Sequence, residues 1–477
     1  MSSLRDGARV RVLHVTPECA PMTKTGGLGD VSEALPTALR AAGVDAMTLL
    51  PGYPAVLDGV GKKTLVAKLK VLGFECQLLQ ADPFIVIDCP PLYQRRGGPY
   101  HTPDGNDWDD NALRFGVLSR AGALLGGARS PLEWRPAIVH CHDWPAGLAP
   151  VYLRDQPEHA ASVTTIHNLA FQGNYGAELL ERLELAPSRF TIDGVEFYGR
   201  LSFLKGGIAT ADAVTTVSPT YAREIQTPEL GHGLDGLLRH RRDVLSGILN
   251  GIDTRVWDPA SDARIAQRYD ADALERKAAN KAALQRRLGL EPRADVPLVG
   301  AVSRLTRQKG ADLLTAAADA LVALPAQLAV VGKGEHELEG ALATAAAHHP
   351  GRIAVRIAFD EDLAHAIEAG ADLFVMPSRF EPCGLNQMYS QRYGTPPVAR
   401  ATGGLVDTVQ DGVSGFLFER AESEALLEAL QRALAAYAEP ARWRRLQRAG
   451  MERDFSWSAA ARRYADLYLR LARPPRR

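Results

Sequence analysis

Arg304 and Lys309 stand in the stretch "SRLTRQKG" (Ser303–Gly310), between an apolar run and a helical pattern. Two fixed cations beside the free backbone N–H groups of a helix start suit a diphosphate. Arginine grips phosphate oxygens bidentately, and lysine acts as a point charge. A solvated basic loop is the other reading of the same residues. A second stretch, "PSRFEPCGLNQ" (Pro377–Gln387), holds Glu381 in a turn forced by Pro382 and Gly384. A carboxylate there can accept hydrogen bonds from sugar hydroxyls, and the N–H groups of Cys383, Gly384 and Leu385 can meet an anion. Glu381 as a plain surface charge is the alternative. Cys383 reads as a small buried thiol, because nothing in the sequence supplies it with a base.

Three further stretches carry polar groups at the ends of apolar runs. "VHCHDWPAGL" (Val139–Leu148) contains His140, His142 and Asp143. Its spacing is generic and no H-E-x-x-H occurs, so no metal site is expected. Asp143 fits a helix N-cap or a substrate contact. "TIHNLAFQG" (Thr165–Gly173) places His167 and Asn168 after a strand, either as a core histidine and its neighbour or as groups facing a cleft. "KTGGLGD" (Lys24–Asp30) sets Lys24, Gly26 and Gly27 at a helix start, which suits an anionic group. The pattern T-G-G-L-x-D returns at Thr402–Asp407. Neither G-x-x-x-x-G-K-[ST] nor G-x-G-x-x-G is present, which weakens ATPase and dehydrogenase readings.

These residues need strands and helices to hold them. "VRVLHV", a glycine-bearing loop and "DVSEALPTALRAAGV" form a strand–loop–helix unit. The pattern recurs to about residue 250, pauses in a charged stretch, and starts again near Val296. The expected fold is α/β, with two doubly wound Rossmann-like domains facing across a cleft. The expected limits are 1–255, 256–455 and an amphipathic C-terminal helix, 456–477. Ligands of open α/β sheets bind outside the carboxyl ends of the strands. Both T-G-G-L loops are therefore expected on that cleft.

Composition agrees with this and excludes other classes. A chain of 477 residues with 46% hydrophobic and 23% charged content suits a globular protein of more than one domain. A formal net charge of −1 argues against a nucleic-acid partner. The basic end, "LRLARPPRR", reads as a solvated helix end followed by a frayed terminus. The apolar residues of the first twenty alternate as in a strand and form no signal-peptide core, and no apolar run is long enough for a membrane span. Five scattered cysteines without C-x-x-C spacing suit a reducing compartment, so a cytoplasmic location is expected.

Taken together, "KTGGLGDV", "LYQRRGGPY", "HCHDWPAGL", "TIHNLAFQG", "LNGIDTRVWDP", "SRLTRQKG", "PSRFEPCGLNQ", "RYGTPPV" and "TGGLVDTV" resemble the family of bacterial glycogen synthases and plant starch synthases. They fall in that family's order over nearly the whole chain. The resemblance implies a GT-B glycosyltransferase, its C-terminal helix at 456–477 packing back on the first domain, that moves glucose from ADP-glucose to the non-reducing end of an α-1,4-glucan such as glycogen, with retention. It implies catalytic roles for His167, Asp143, Arg304, Lys309 and Glu381. Donor contacts would come from Lys24, Gly26, Gly27, Asn250, Arg304, Lys309, Phe359, Glu381, Cys383, Gly384 and Leu385. Acceptor contacts would come from Tyr93, Asp143 and Asn168. No cofactor and no metal are expected, since cations and helix starts can neutralise the leaving diphosphate. Domain closure is expected to exclude water. A UDP-glucose-using or other α-glucan transferase of this fold, or a non-catalytic glucan-binding protein, are the alternatives. The sequence departs from the family in the short "DTVQDGVSGFLF", and in "HGLDGLL", where many relatives have an aromatic before the glycine. Tyr389 stands where more distant two-domain transferases carry a second glutamate.

Overall fold

The computed structural model describes residues 9–472; the first eight residues and the basic end at 473–477 lie outside the described residues. The chain forms two compact units. One comprises Met1–Val217, Ala222–Leu249 and Trp457–Arg477; the other comprises Ser218–Tyr221 and Asn250–Ser456. The crossing at Leu249/Asn250 precedes the expected limit at residue 255.

The first unit is built on a nine-stranded sheet. Its strands are β1 (Arg11–Val15), β2 (Asp45–Pro51), β3 (Thr64–Val71), β4 (Phe74–Ala81), β5 (Phe84–Asp88), β6 (Ile138–His142) and β7 (Ala161–Ile166). A small antiparallel sheet interrupts the series with β8 (Asn174–Tyr175), β9 (Glu196–Phe197) and β10 (Arg200–Ser202), and β11 (Ala213–Thr216) and β12 (Leu245–Gly247) complete the main one. The spatial order is β12-β11-β7-β6-β1-β2-β5-β4-β3. The strands from β12 to β5 run parallel, with β1 at the centre. Apolar β1 residues are buried on both faces, as expected of a central parallel strand.

One part of this sheet departs from a purely doubly wound pattern. β3, β4 and β5 pair antiparallel at its edge. Leu72 and Gly73 join β3 to β4 with φ of 49° and 82°. Positive φ at both positions is the two-residue turn that matches strand twist.

The second unit contains β13 (Leu298–Val302), β14 (Gln327–Gly332), β15 (Ile353–Ile357), β16 (Leu373–Met376), β17 (Pro397–Arg400) and β18 (Phe416–Phe418). All its pairs are parallel, in the order β15-β14-β13-β16-β17-β18. This is the strand order of a dinucleotide-type Rossmann sheet. The order reverses between β13 and β16, so the loops after these two strands open at the switch point.

The helix Trp457–Leu471 belongs to the first unit. Its Trp457, Ala460, Ala461, Tyr464, Leu467 and Tyr468 form one buried stripe at helical spacing. They pack with Val31, Leu35 and Leu39 of the helix Gly27–Ala41. Each large side chain buried this way contributes about 1.5–3 kcal/mol. Among the described residues no helix is long and apolar enough to cross a membrane.

Candidate active site

In the second unit, the loops after β13 and β16 line one pocket at the switch point, with Arg304, Lys309, Glu381, Gly384 and Leu385 on its wall. Lys309 Nζ lies 2.8 and 2.6 Å from the two oxygens of Glu381. Ser378 Oγ donates to the second of these at 3.0 Å. Glu381 is buried at 4% exposure, so its charge needs those partners. Arg304 is exposed on the pocket wall, and no ion pair among the described residues of its unit engages it. A second pair ties the two loops together: the Arg379 guanidinium donates to both oxygens of Asp312 at 2.7 and 2.8 Å. Gly310 precedes the helix Ala311–Ala323 with φ of 71°, and a Cβ there would stand 2.0 Å from Pro377 O. Only glycine lets the lysine loop lie this close to the glutamate loop.

The repeated T-G-G-L-x-D does different work in each unit. In the second unit, a Cβ on Gly403 would meet Glu381 O at 1.9 Å, and one on Gly404 would meet Cys383 O at 2.0 Å. Gly404 N donates to Glu381 O at 3.0 Å. These glycines therefore support the Glu381 turn from behind. Asp407 accepts from Thr220 N and Oγ1, both at 2.8 Å. In the first unit, Gly26 is exposed, a Cβ there would meet nothing within 4 Å, and the loop stays open. Lys24 Nζ pairs with Asp30 at 2.7 Å on the surface. Behind that loop, Glu18 Oε2 accepts from Thr25 N at 2.5 Å and Gly26 N at 3.4 Å, while Tyr100 OH donates to Oε1 at 2.6 Å. Burial raises the Glu18 pKa, and these three donors oppose the rise. Sequence spacing gave no sign of Glu18 as an anchor, because its partners are loop amides and a tyrosine 82 residues away.

The loops after β1, β6 and β7 bring the first unit's candidates together. Asp143 is buried with φ of 57°, a conformation costly for a non-glycine residue. Its Oδ1 accepts from His167 N at 2.7 Å and Asn168 N at 3.4 Å. The carboxylate thus sets the turn that aims His167. Burial pushes its pKa up to about 7, against the pull of those amides. Asn168 turns its Oδ1 onto Ala170 N at 3.1 Å. Three imidazoles follow inward: His167 Nε2 lies 3.0 Å from His142 Nδ1, and His142 Nε2 lies 3.0 Å from His14 Nδ1. Burial holds His14 and His167 down to about 3, and His142 well below the ordinary imidazole range. His140 instead bonds Tyr468 OH at 2.6 Å and Thr165 Oγ1 at 2.5 Å. His14, His140 and His142 cluster closely enough to hold an ion. Their nitrogens are already hydrogen-bonded, apart from His14 Nε2, so the arrangement present is a polar network.

The remaining candidates divide. Phe359 is 78% exposed beyond β15 and free to stack on a flat group. Asn250 is buried, and its backbone N–H faces the Cys383 sulfur. Burial pushes the Cys383 thiol up to about 12, which leaves it inert as a nucleophile. Tyr93 is corrected: it is 1% exposed and donates its hydroxyl to Arg114 O at 2.6 Å, so no acceptor can reach it. Tyr389 stacks on Trp257 at 3.9 Å, with His365 on the opposite face at 3.8 Å, and so fills a packing role.

Two family models match in succession: the starch synthase catalytic domain over residues 11–240, and the glycosyl transferases group 1 domain over 287–449. With two Rossmann-like units, they define a glycosyltransferase. Glycogen synthases of Aromatoleum aromaticum and Nitrosomonas eutropha are 53% and 52% identical, each match covering 98% of this chain and 98% and 97% of theirs. The catalytic domain of starch synthase IV from Arabidopsis thaliana, solved with ADP and acarbose, superposes with a TM-score of 0.84 at 32% identity, covering 98% of this chain and 100% of that one. The chain belongs to the glycogen synthase and starch synthase family.

Proposed function

We propose that this chain is an ADP-glucose-dependent glycogen synthase that extends the non-reducing end of an α-1,4-glucan with retention. The observation that carries the reading is the Lys309–Glu381 pair with Arg304 beside it, set at the switch point of the second unit. That is where an open α/β sheet takes a nucleotide. Its relatives' names and the ADP bound to the starch synthase IV domain support the donor class.

In this reading Arg304 and Lys309 meet the diphosphate, and Glu381 accepts from glucose hydroxyls. Lys24, Gly26, Gly27 and Asn250 would add donor contacts, with Phe359 stacking on adenine. The bond from the glucose anomeric carbon to the β-phosphate oxygen breaks as the acceptor 4-hydroxyl oxygen bonds to the same face of that carbon. The hydroxyl proton passes to the departing phosphate, leaving ADP and a glucan one unit longer. Stabilising charge on the leaving diphosphate is the main task, and two fixed cations are suited to it. Divalent metal is therefore not required. Asp143 and Asn168 hold the His167 turn that would face the sugar. Five buried free thiols suit a reducing cytoplasm.

The test is glucose incorporation into glycogen from ADP-glucose or UDP-glucose, with EDTA present. Incorporation from ADP-glucose is the expected result. Incorporation from UDP-glucose alone overturns the donor, a requirement for metal overturns the charge argument, and none from either in folded protein overturns the reaction.

A further inference from the structure

His14 sits near the carboxyl end of β1 with 0% exposure, where an apolar residue would pack with no polar cost. Its Nδ1 faces His142 Nε2, and His142 Nδ1 faces His167 Nε2, each at 3.0 Å. His14 Nε2 is buried with no hydrogen-bond partner. His167 is only half-buried, and among the described residues no hydrogen bond engages its Nδ1.

A neutral imidazole carries one N–H and one lone pair. Burial keeps all three rings neutral. Each N···N contact needs one proton, so only two orderings satisfy both contacts. In one, every proton lies on Nδ1: His14 donates to His142, His142 donates to His167, and His167 keeps an outward N–H. In the other, every proton lies on Nε2, and His14 is left with a buried N–H that no acceptor meets. Orphaned buried N–H groups are among the rarest features of folded proteins. The first ordering leaves only a bare lone pair at that nitrogen.

The geometry points to His14 and His142 as positioning residues that fix the tautomer of His167, so that it presents an Nδ1–H donor to the sugar. This rests on the reading above, in which His167 faces the donor glucose. Its chemical content is that His167 donates to a sugar oxygen and does not act as a base. The tautomer of such a ring is set by the bond its other nitrogen makes. Here that setting passes through two rings to a strand at the sheet centre.

Neutron diffraction from deuterated crystals at neutral pH reads the answer directly. Deuterium on Nδ1 of His14, His142 and His167 is expected; deuterium on Nε2 of any of the three overturns the assignment. The second readout is kinetic. His142→Phe should lower kcat about tenfold while the donor KM stays within about twofold, because binding survives and orientation does not. A folded H142F enzyme with unchanged kcat overturns the positioning role. If that variant does not fold, the deuterium positions still decide. Failure of the wild type to transfer glucose would sink the proposed reaction, whereas the tautomer is measured without substrate.

Discussion

Lys309 Nζ closes on both oxygens of Glu381, so the buried carboxylate at the switch point of the second unit is held by a fixed cation. An ammonium carries three N–H donors, and the two Glu381 oxygens engage two of them.

Lys309→Ala should reduce turnover by a factor of at least ~100 through loss of charge stabilisation on the leaving group. The thermal unfolding profile should remain cooperative. Steady-state rates beside a melting curve check this, and wild-type turnover would remove Lys309 from the diphosphate.

Gly403→Ala should unfold the Glu381 turn locally or destabilise the whole second unit. The added methyl would stand 1.9 Å from Glu381 O, and φ is 47°. The expected cost is about 3 kcal/mol or more, since backbone must move to relieve the overlap. Denaturant unfolding measures it. A variant as stable as wild type would show that the turn is not packed as described.

Asp143 makes stability depend on pH in a definite direction. Its folded pKa is raised to about 7, mainly by burial. A raised carboxyl pKa gives stability that is full below the unfolded pKa near 4 and lost as pH rises through about 7. The effect is at most about 4 kcal/mol. Asp143→Asn keeps an acceptor for the His167 amide and removes the charge. Its unfolding free energy should therefore fall less than that of wild type between pH 4 and 8. Parallel curves for the two proteins would show that Asp143 ionises without penalty.

Tyr93→Phe tests whether that ring is purely structural. The variant loses one buried hydrogen bond, to Arg114 O, and should be less stable by about 1–2 kcal/mol. Its KM for glucan should match wild type. A raised acceptor KM at unchanged stability would return Tyr93 to the acceptor site.

The strand–loop–helix units were legible because each leaves a local signature: an apolar run, a glycine or proline loop, then helical spacing. The placement of Arg304, Lys309 and Glu381 on one pocket wall was legible for the same reason, since each stands in a loop between a strand and the next helix. Tyr93 was misread because a motif's neighbourhood does not tell which way a ring points. Glu18 and His14 were not legible at all. Their partners lie 7 to 128 residues away, and a polar residue inside an apolar strand looks like noise until the neighbouring strand is known. The antiparallel edge of β3 to β5 went unseen because its alternation is interrupted by a bulge near Leu65 and its turn lacks the Asn-Gly or Asp-Gly signal. The second T-G-G-L-x-D resembled the first in letters, yet its glycines are occupied by backbone contacts of the Glu381 turn.

The helix Trp457–Leu471 has a consequence for the order of events on the ribosome. His140 finds its tyrosine partner 328 residues downstream, and the helix Gly27–Ala41 finds its apolar cover in the same late segment. The unit whose strands are translated first is thus the one completed last. Until the late helix emerges, Val31, Leu35 and Leu39 lack their cover, and a nascent chain stalled in the second unit exposes a sticky face for chaperones to recognise.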